Sequence, residues 1–103
     1  MSDEANKKLS EMMHLVEKAL VDSLTSLRNN NVELAKKVIE QDDIIDSMEN
    51  ELRKGHITRL NAGACSAAAG AVYLDILSNL ERIGDHAVNL AQAVLEDQVK
   101  AKA

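Results

Sequence analysis

The chain has 103 residues and a formal charge of −5, with no Pro, Phe or Trp and a single Tyr, Tyr73. That length makes one domain, and the acidic balance argues against nonspecific grip on nucleic acid or anionic lipid. So few aromatics leave no platform for stacking bases, a β-sandwich or nucleotide-binding α/β fold needs more Gly, turn prolines and β-branched runs, and no apolar run approaches the ~20 residues of a bilayer span.

The first helix is expected over about residues 3–28. Ser2 or Asp3 can cap it, and Asp3 and Glu4 suit its positive end. Leu9, Met12, Met13, Val16, Ala19, Leu20, Leu24 and Leu27 recur at helical spacing and give its buried stripe. Asn29, Asn30 and Asn31 break the pattern, favour a tight turn, and leave one amide to cap the next helix.

The second helix is expected over about residues 32–60, with Ala35, Val38, Ile39, Ile45, Met48 and Leu52 inward. It runs through Gly55, since one glycine inside a helix costs only about 1 kcal/mol. Asn61 and Gly63 supply the residues found where a helix stops, and Ser66 caps a third helix over about residues 67–97, with a fraying KAKA tail. Its apolar stripe reads Val72, Ile76, Leu80, Ile83, Ala87, Leu90, Ala91 and Val94. Short joints make successive helices antiparallel, so the fold class is all-α, an up-down-up three-helix bundle. A core this small is modest in stability, and association with another copy or domain is expected.

Opposite the third apolar stripe lie Asp75, Asn79, Arg82, His86 and Asn89. These include poorer helix formers than the Lys and Glu of an ordinary solvated face, so the stripe has a task. Arg82 can fork onto Asp75 or onto an acid of a partner surface. Asn89 is expected to bond across a helix seam, and Gly84 to mark close approach of another helix.

Residues 40–51 hold Glu40, Asp42, Asp43, Asp46, Glu49 and Glu51 without one Lys or Arg; Arg53, Lys54, His56 and Arg59 then make a basic patch able to pair with a neighbouring acidic surface. Asp42 and Asp46 are four apart, Glu49 lies three further on, and Glu81 and Asp85 repeat the spacing on the third helix. Such spacing puts carboxylates on one side of a helix, where like charges repel unless something shares them. Facing rows can collect four or more oxygen ligands for a hard cation, and His86 would add affinity for iron, zinc or nickel. The same rows also read as solvated faces, or as ion-pair partners for Arg82 and the basic patch. Catalysis finds little support: there is no HExxH, no nucleophile elbow, and no evident base for Cys65. A lone Cys fits a reducing compartment, and MSDEANKK lacks the apolar stretch of a secretory signal, which points to a cytoplasmic domain.

LERIGDHAVNLAQAV, beginning at Leu80, resembles the signature of the PhoU family, LERIGDHAxNIAE, at Leu80, Glu81, Arg82, Ile83, Gly84, Asp85, His86, Ala87 and Asn89; Leu90 and Gln92 depart from it. QDDIIDSMENEL, from Gln41 to Leu52, is similar to the family's second-helix motif. The run from His56 to Ala91 looks closer to the PhoU-like region that ends sodium-dependent phosphate cotransporters. The resemblance implies a PhoU-like bundle that regulates phosphate uptake or signalling and is not an enzyme. Its implied partner is the membrane domain of a phosphate transporter or a phosphate-signalling protein, and it is not itself inserted in the membrane. Some members hold multinuclear iron or zinc, and the positions carried over are Asp42, Asp46, Glu49, Glu81 and Asp85. Typical members have two such repeats, so a homodimer would rebuild a six-helix arrangement, or the chain would be the cytoplasmic end of an inner-membrane transporter. A metal-dependent enzyme or metal store, and a purely structural bundle, remain as other readings.

Overall fold

A computed structural model describes residues 3–102, with side chains from Glu4 to Asp97. Three helices, α1 (Asp3–Asn29), α2 (Val32–Asn61) and α3 (Ala67–Lys102), pack each against both others in a rod of 58 × 19 × 18 Å. The bounds follow the sequence closely at both joints. Asn31 is the N-cap of α2, its Oδ1 accepting from the Leu34 N–H at 3.1 Å, and Asn30 takes the left-handed conformation (φ 52°) that reverses the chain. Gly63, also left-handed at φ 69°, donates to the Leu60 carbonyl, and Ser66 Oγ accepts from the Ala69 N–H. The expected cap at Ser2 lies outside the described residues. α3 continues past the expected end at Asp97 to Lys102, because Gln98–Lys102 contains no glycine, proline or cap residue to stop it.

The core is built from Leu9, Met12, Val16 and Ala19 of α1, Ala35, Val38, Ile45 and Leu52 of α2, and Tyr73, Leu77, Leu80, Ala87, Ala91 and Val94 of α3. Of the two expected stripes, Leu9, Met12, Val16 and Ala19 on α1 and Leu80, Ala87, Ala91 and Val94 on α3 are buried as expected, and the rest are corrected by one residue. On α3 the inward positions are Tyr73, Leu77 and Gly84, whereas Val72 (60% exposed) and Ile83 (36%) face out. On α1, Ser23 and Ser26 are buried in place of Leu24 and Leu27, and Met13 is exposed. The two serines return their hydroxyls to their own helix, Ser23 Oγ to the Leu20 carbonyl at 2.8 Å and Ser26 Oγ to that of Ser23 at 2.7 Å. Small side chains at these places bring the helices together, and the large apolar neighbours are turned outward.

Those outward residues are not scattered. Met13, Leu20, Leu24 and Leu27 each follow a buried position of α1 by one residue; Val72, Ile76, Ile83 and Leu90 each precede a buried position of α3 by one. Since α1 and α3 run parallel, a rotation of about 100° in opposite senses brings both stripes to one outer groove. α2 occupies the other side, where it meets Lys8 of α1 through Glu51 and Ser78 and Glu81 of α3 through Arg53. Among the described residues no helix is long and apolar enough to cross a membrane.

Candidate functional site

The five carboxylates singled out in the sequence share one groove, between α2 and α3. Asp42 is next to Gly84: a Cβ there would lie 3.7 Å from Asp42 Oδ1 and 3.8 Å from Ile45 Cγ2. Partial burial, then the charges of Asp46, Asp85 and Asp43, raise the Asp42 carboxyl above its ordinary 3.8. Asp46 is raised in the same direction by burial, then by Asp85, Glu49 and Asp43. The rows therefore meet across the groove, and they repel.

The other end of the groove differs, because a cation is already there. Glu49 is buried, and Arg53 Nε donates to its Oε1 at 2.7 Å. The same guanidinium donates from Nη2 to Ser78 Oγ at 3.1 Å and lies 3.6 Å from Glu81 Oε2. The Glu81 carboxyl is nevertheless raised, first by a hydrogen bond with Glu49, then by burial and the Glu49 charge; Arg53 pulls it down and Asp85 pushes it up. Two glutamates and one arginine thus tie α2 to α3. Arg53 belongs to this site rather than to an outward basic patch, and its place four residues after Glu49 was the signal for it.

Among the described residues, no group of three or more His, Cys, Asp or Glu side chains is arranged to hold a metal ion. His86 is exposed on a different side of α3 from Glu81 and Asp85, so imidazole does not join the carboxylates. Asp75, Arg82 and Asn89, each two positions before a buried residue, are exposed along the outer side of α3; Asn79, like His86, is exposed one position before a buried residue, in the row of Val72 and Ile83 and not opposite it as expected. Asn89 therefore faces away from the helix seam where a register-fixing bond was expected, since it lies two positions before buried Ala91. Arg82 makes no ion pair with a described residue, Asp75 included.

The basic patch is also redistributed by helical phase. His56 falls on the inward row Ile45, Glu49, Leu52, His56 and is fully buried. Its ring stacks on Tyr73 at 4.9 Å between centroids and 23° between planes, and burial and then the Arg59 charge lower its pKa below the ordinary 6.5. Arg59 lies over Tyr73 from 5.6 Å. This layer escaped the reading of the sequence; the seven-residue step from Glu49 to His56 was the one clue to it.

The PhoU domain model matches residues 9–94. Over 89 residues the chain is 36% identical to the phosphate-specific transport system accessory protein PhoU homolog 1 of Thermotoga maritima, which covers 86% of this chain and 38% of that protein. PhoU homologs of Clostridium acetobutylicum (32% over 97 residues, 89% and 44%) and Aquifex aeolicus (34% over 98 residues, 90% and 43%) are similar at comparable extent. The chain therefore spans less than half the length of these relatives. No solved structure matches it.

Proposed function

The chain belongs to the PhoU domain family, and on that premise we propose that it is a regulatory domain of phosphate transport or phosphate signalling that acts by docking onto protein partners. Domains of this family regulate and do not catalyse. The observation that carries the docking reading is the apolar groove between α1 and α3. Met13 (48%), Leu24 (46%), Val72 and Ile83 are exposed there, on a bundle that already has a complete core without them. Leaving that much aliphatic surface in water is unfavourable by about 25 cal/mol for each Å², and another helical module laid along the groove removes it.

The occupant is a second three-helix module, in a homodimer that forms a six-helix assembly. The relatives are more than twice the length this chain matches, which supports a partner of that size for the groove. Of the polar stripe of α3, Asp75, Arg82 and Asn89 stay outside and face the phosphate transporter or signalling protein, whereas Asn79 and His86 lie in the row of Val72 and Ile83 at the groove itself. The likeness of the His56–Ala91 run to the end of sodium-dependent phosphate cotransporters makes the membrane domain of such a transporter the candidate. Leu24→Lys and Ile83→Lys are expected to convert a dimer to a helical monomer in sedimentation equilibrium, and to shrink the difference in cellular phosphate uptake between low and high external phosphate. A monomeric wild type at high protein concentration would remove the dimer, and unchanged uptake in both variants would remove the regulatory face.

A second reading rests on the crowding of Asp42, Asp46 and Asp85, which pair with no Lys, Arg or His side chain among the described residues. We propose that a metal ion, iron or zinc as in the resemblance, would draw these three together from an arrangement that is not itself a metal site among the described residues, with Glu49 and Glu81 held by Arg53. An all-oxygen set favours the harder of such ions. Elemental analysis of anaerobically purified protein is expected to find metal that Asp46→Asn and Asp85→Asn together abolish; metal-free wild type ends this reading.

A further inference from the structure

The outward apolar residues of α1 and α3 form a second seam on each helix, beside the one spent in the core. On α3, Val72, Ile76, Asn79, Ile83, His86 and Leu90 follow one another at alternating steps of four and three. On α1, Met13, Glu17, Leu20, Leu24 and Leu27 do the same. That alternation is the heptad spacing of helices that pack side by side, knobs into holes. Aliphatics scattered singly over a surface carry no such period. Met13, Leu24, Leu27, Val72 and Ile83 are exposed, so neither seam is filled within the bundle.

Each seam is interrupted by exposed polar side chains, Glu17 on one wall of the groove and Asn79 and His86 on the other. Two of these interruptions are level with each other. Lys8 of α1 reaches Glu51 of α2, Arg53 of α2 reaches Ser78 and Glu81 of α3, and Gly84 of α3 lies against Asp42 and Ile45. At a rise of about 1.5 Å per residue, those contacts put Glu17 within about one turn of His86 along the rod. Neither makes an ion pair with a described residue. The two walls are therefore complementary to each other, aliphatic to aliphatic and carboxylate to imidazole. An isologous interface needs that property, because a twofold operation sets the α3 wall of one copy on the α1 wall of the other, and the reverse. An unrelated partner would have to bring a match of its own; a second copy already carries it.

We propose that Glu17, Asn79 and His86 set the register of two copies of this chain, His86 of each copy seated against Glu17 of the other. The assignment rests on the homodimer reading of the groove and adds which residues choose the partner and its alignment. A polar group buried among aliphatics is costly unless it is bonded, so registers that set Asn79, His86 or Glu17 against Leu and Ile are penalised. The aliphatic positions supply the drive to associate, and the three polar ones decide which alignment keeps it.

The test is sedimentation equilibrium of the full chain with charge-swapped variants, all at exposed positions. His86→Glu sets carboxylate against carboxylate and is expected to weaken the dimer about tenfold; Glu17→Lys is expected to weaken it about threefold. The two together exchange the signs of the pair, and the double variant should return to within about threefold of the wild type. Asn79→Ile is expected to tighten association about threefold and to admit species larger than a dimer, since the penalty on other registers is gone. A dimeric wild type whose double variant is as weak as the product of the singles overturns the register assignment and leaves the dimer standing. So does an Asn79→Ile chain that stays a single dimer of unchanged strength. A monomeric wild type removes the dimer and the register with it. Should a charge-swapped variant lose its helical circular dichroism, the milder cycle of His86→Gln and Glu17→Gln decides, and additive effects there sink the pairing.

Discussion

At the scale of single residues, two glycines inside one helix have opposite reasons for being there. Gly70 packs against His56, and a Cβ would sit 3.0 Å from both Cε1 and Nε2 of that ring and 3.2 Å from Leu60 Cδ2. The ring is pinned by its stack on Tyr73 and cannot retreat without losing it. At Gly84 the nearest atoms are at 3.7 and 3.8 Å, ordinary contact distances. Gly70→Ala is therefore expected to destabilise the fold by about 1–3 kcal/mol through overpacking. Gly84→Ala should stabilise it by about 0.5–1 kcal/mol, because alanine is the better helix former and the space exists. Urea unfolding of the two variants measures the contrast; equal shifts of the same sign would mean the glycines are interchangeable. The signature glycine at position 84 is thus not demanded by the packing of this bundle, despite the close helix approach expected from it.

At the scale of elements, helix type and ends were legible, and facing was only partly so. The three helices, the Asn31 and Ser66 caps and the Gly63 stop follow from local rules that depend on a few neighbouring residues. Facing depends on which of two adjacent apolar rows enters the core, and α1 and α3 each offer two. On α3 the rows 72/76/83/90 and 73/77/84/91 have the same period, and large aliphatics favour the first on composition. The second is buried because Ala87 and Ala91 allow close approach to the neighbouring helices, and Tyr73 stacks on His56. An apolar arc wider than one seam was itself the legible signal, meaning a helix with two partners to satisfy. The acidic groove was legible in part. Spacing alone brought Asp42, Asp46, Glu49, Glu81 and Asp85 to one place, but no sequence rule said that Glu49 would turn inward and take Arg53 with it. The His56 layer was the least legible, since it joins α2 to α3 across a loop and its members look like surface charges in the linear sequence.

At the scale of the whole molecule, the two polar layers make stability depend on pH in opposite senses. The His56 pKa is lowered in the folded state, so as pH falls below the ordinary 6.5 the unfolded chain takes up the proton first. Its contribution is complete above 6.5 and is lost as pH falls toward the folded value. Asp42, Asp46 and Glu81 are raised, so the folded chain takes up their protons first, at pH above the ordinary 3.8 and 4.5. Their mutual repulsion is a penalty at neutral pH that is relieved as pH falls through the raised carboxyl values. The unfolding free energy should therefore drop on mild acidification below pH 6.5 and level off or partly recover before the remaining acids titrate. His56→Phe keeps a ring on Tyr73 without a titrating group, and should flatten the first limb. Asp46→Asn should add about 0.5 kcal/mol at neutral pH, the scale of one like-charge pair on a helix, and lose that advantage in the acid limb. Urea unfolding across this range resolves the two limbs. A wild-type profile that rises steadily with pH from the carboxyl range to neutrality would show that the acidic groove carries no repulsion to relieve. One layer sits where α2 meets the start of α3 and the other further along the same pair of helices, so protons taken up at either act on the same seam.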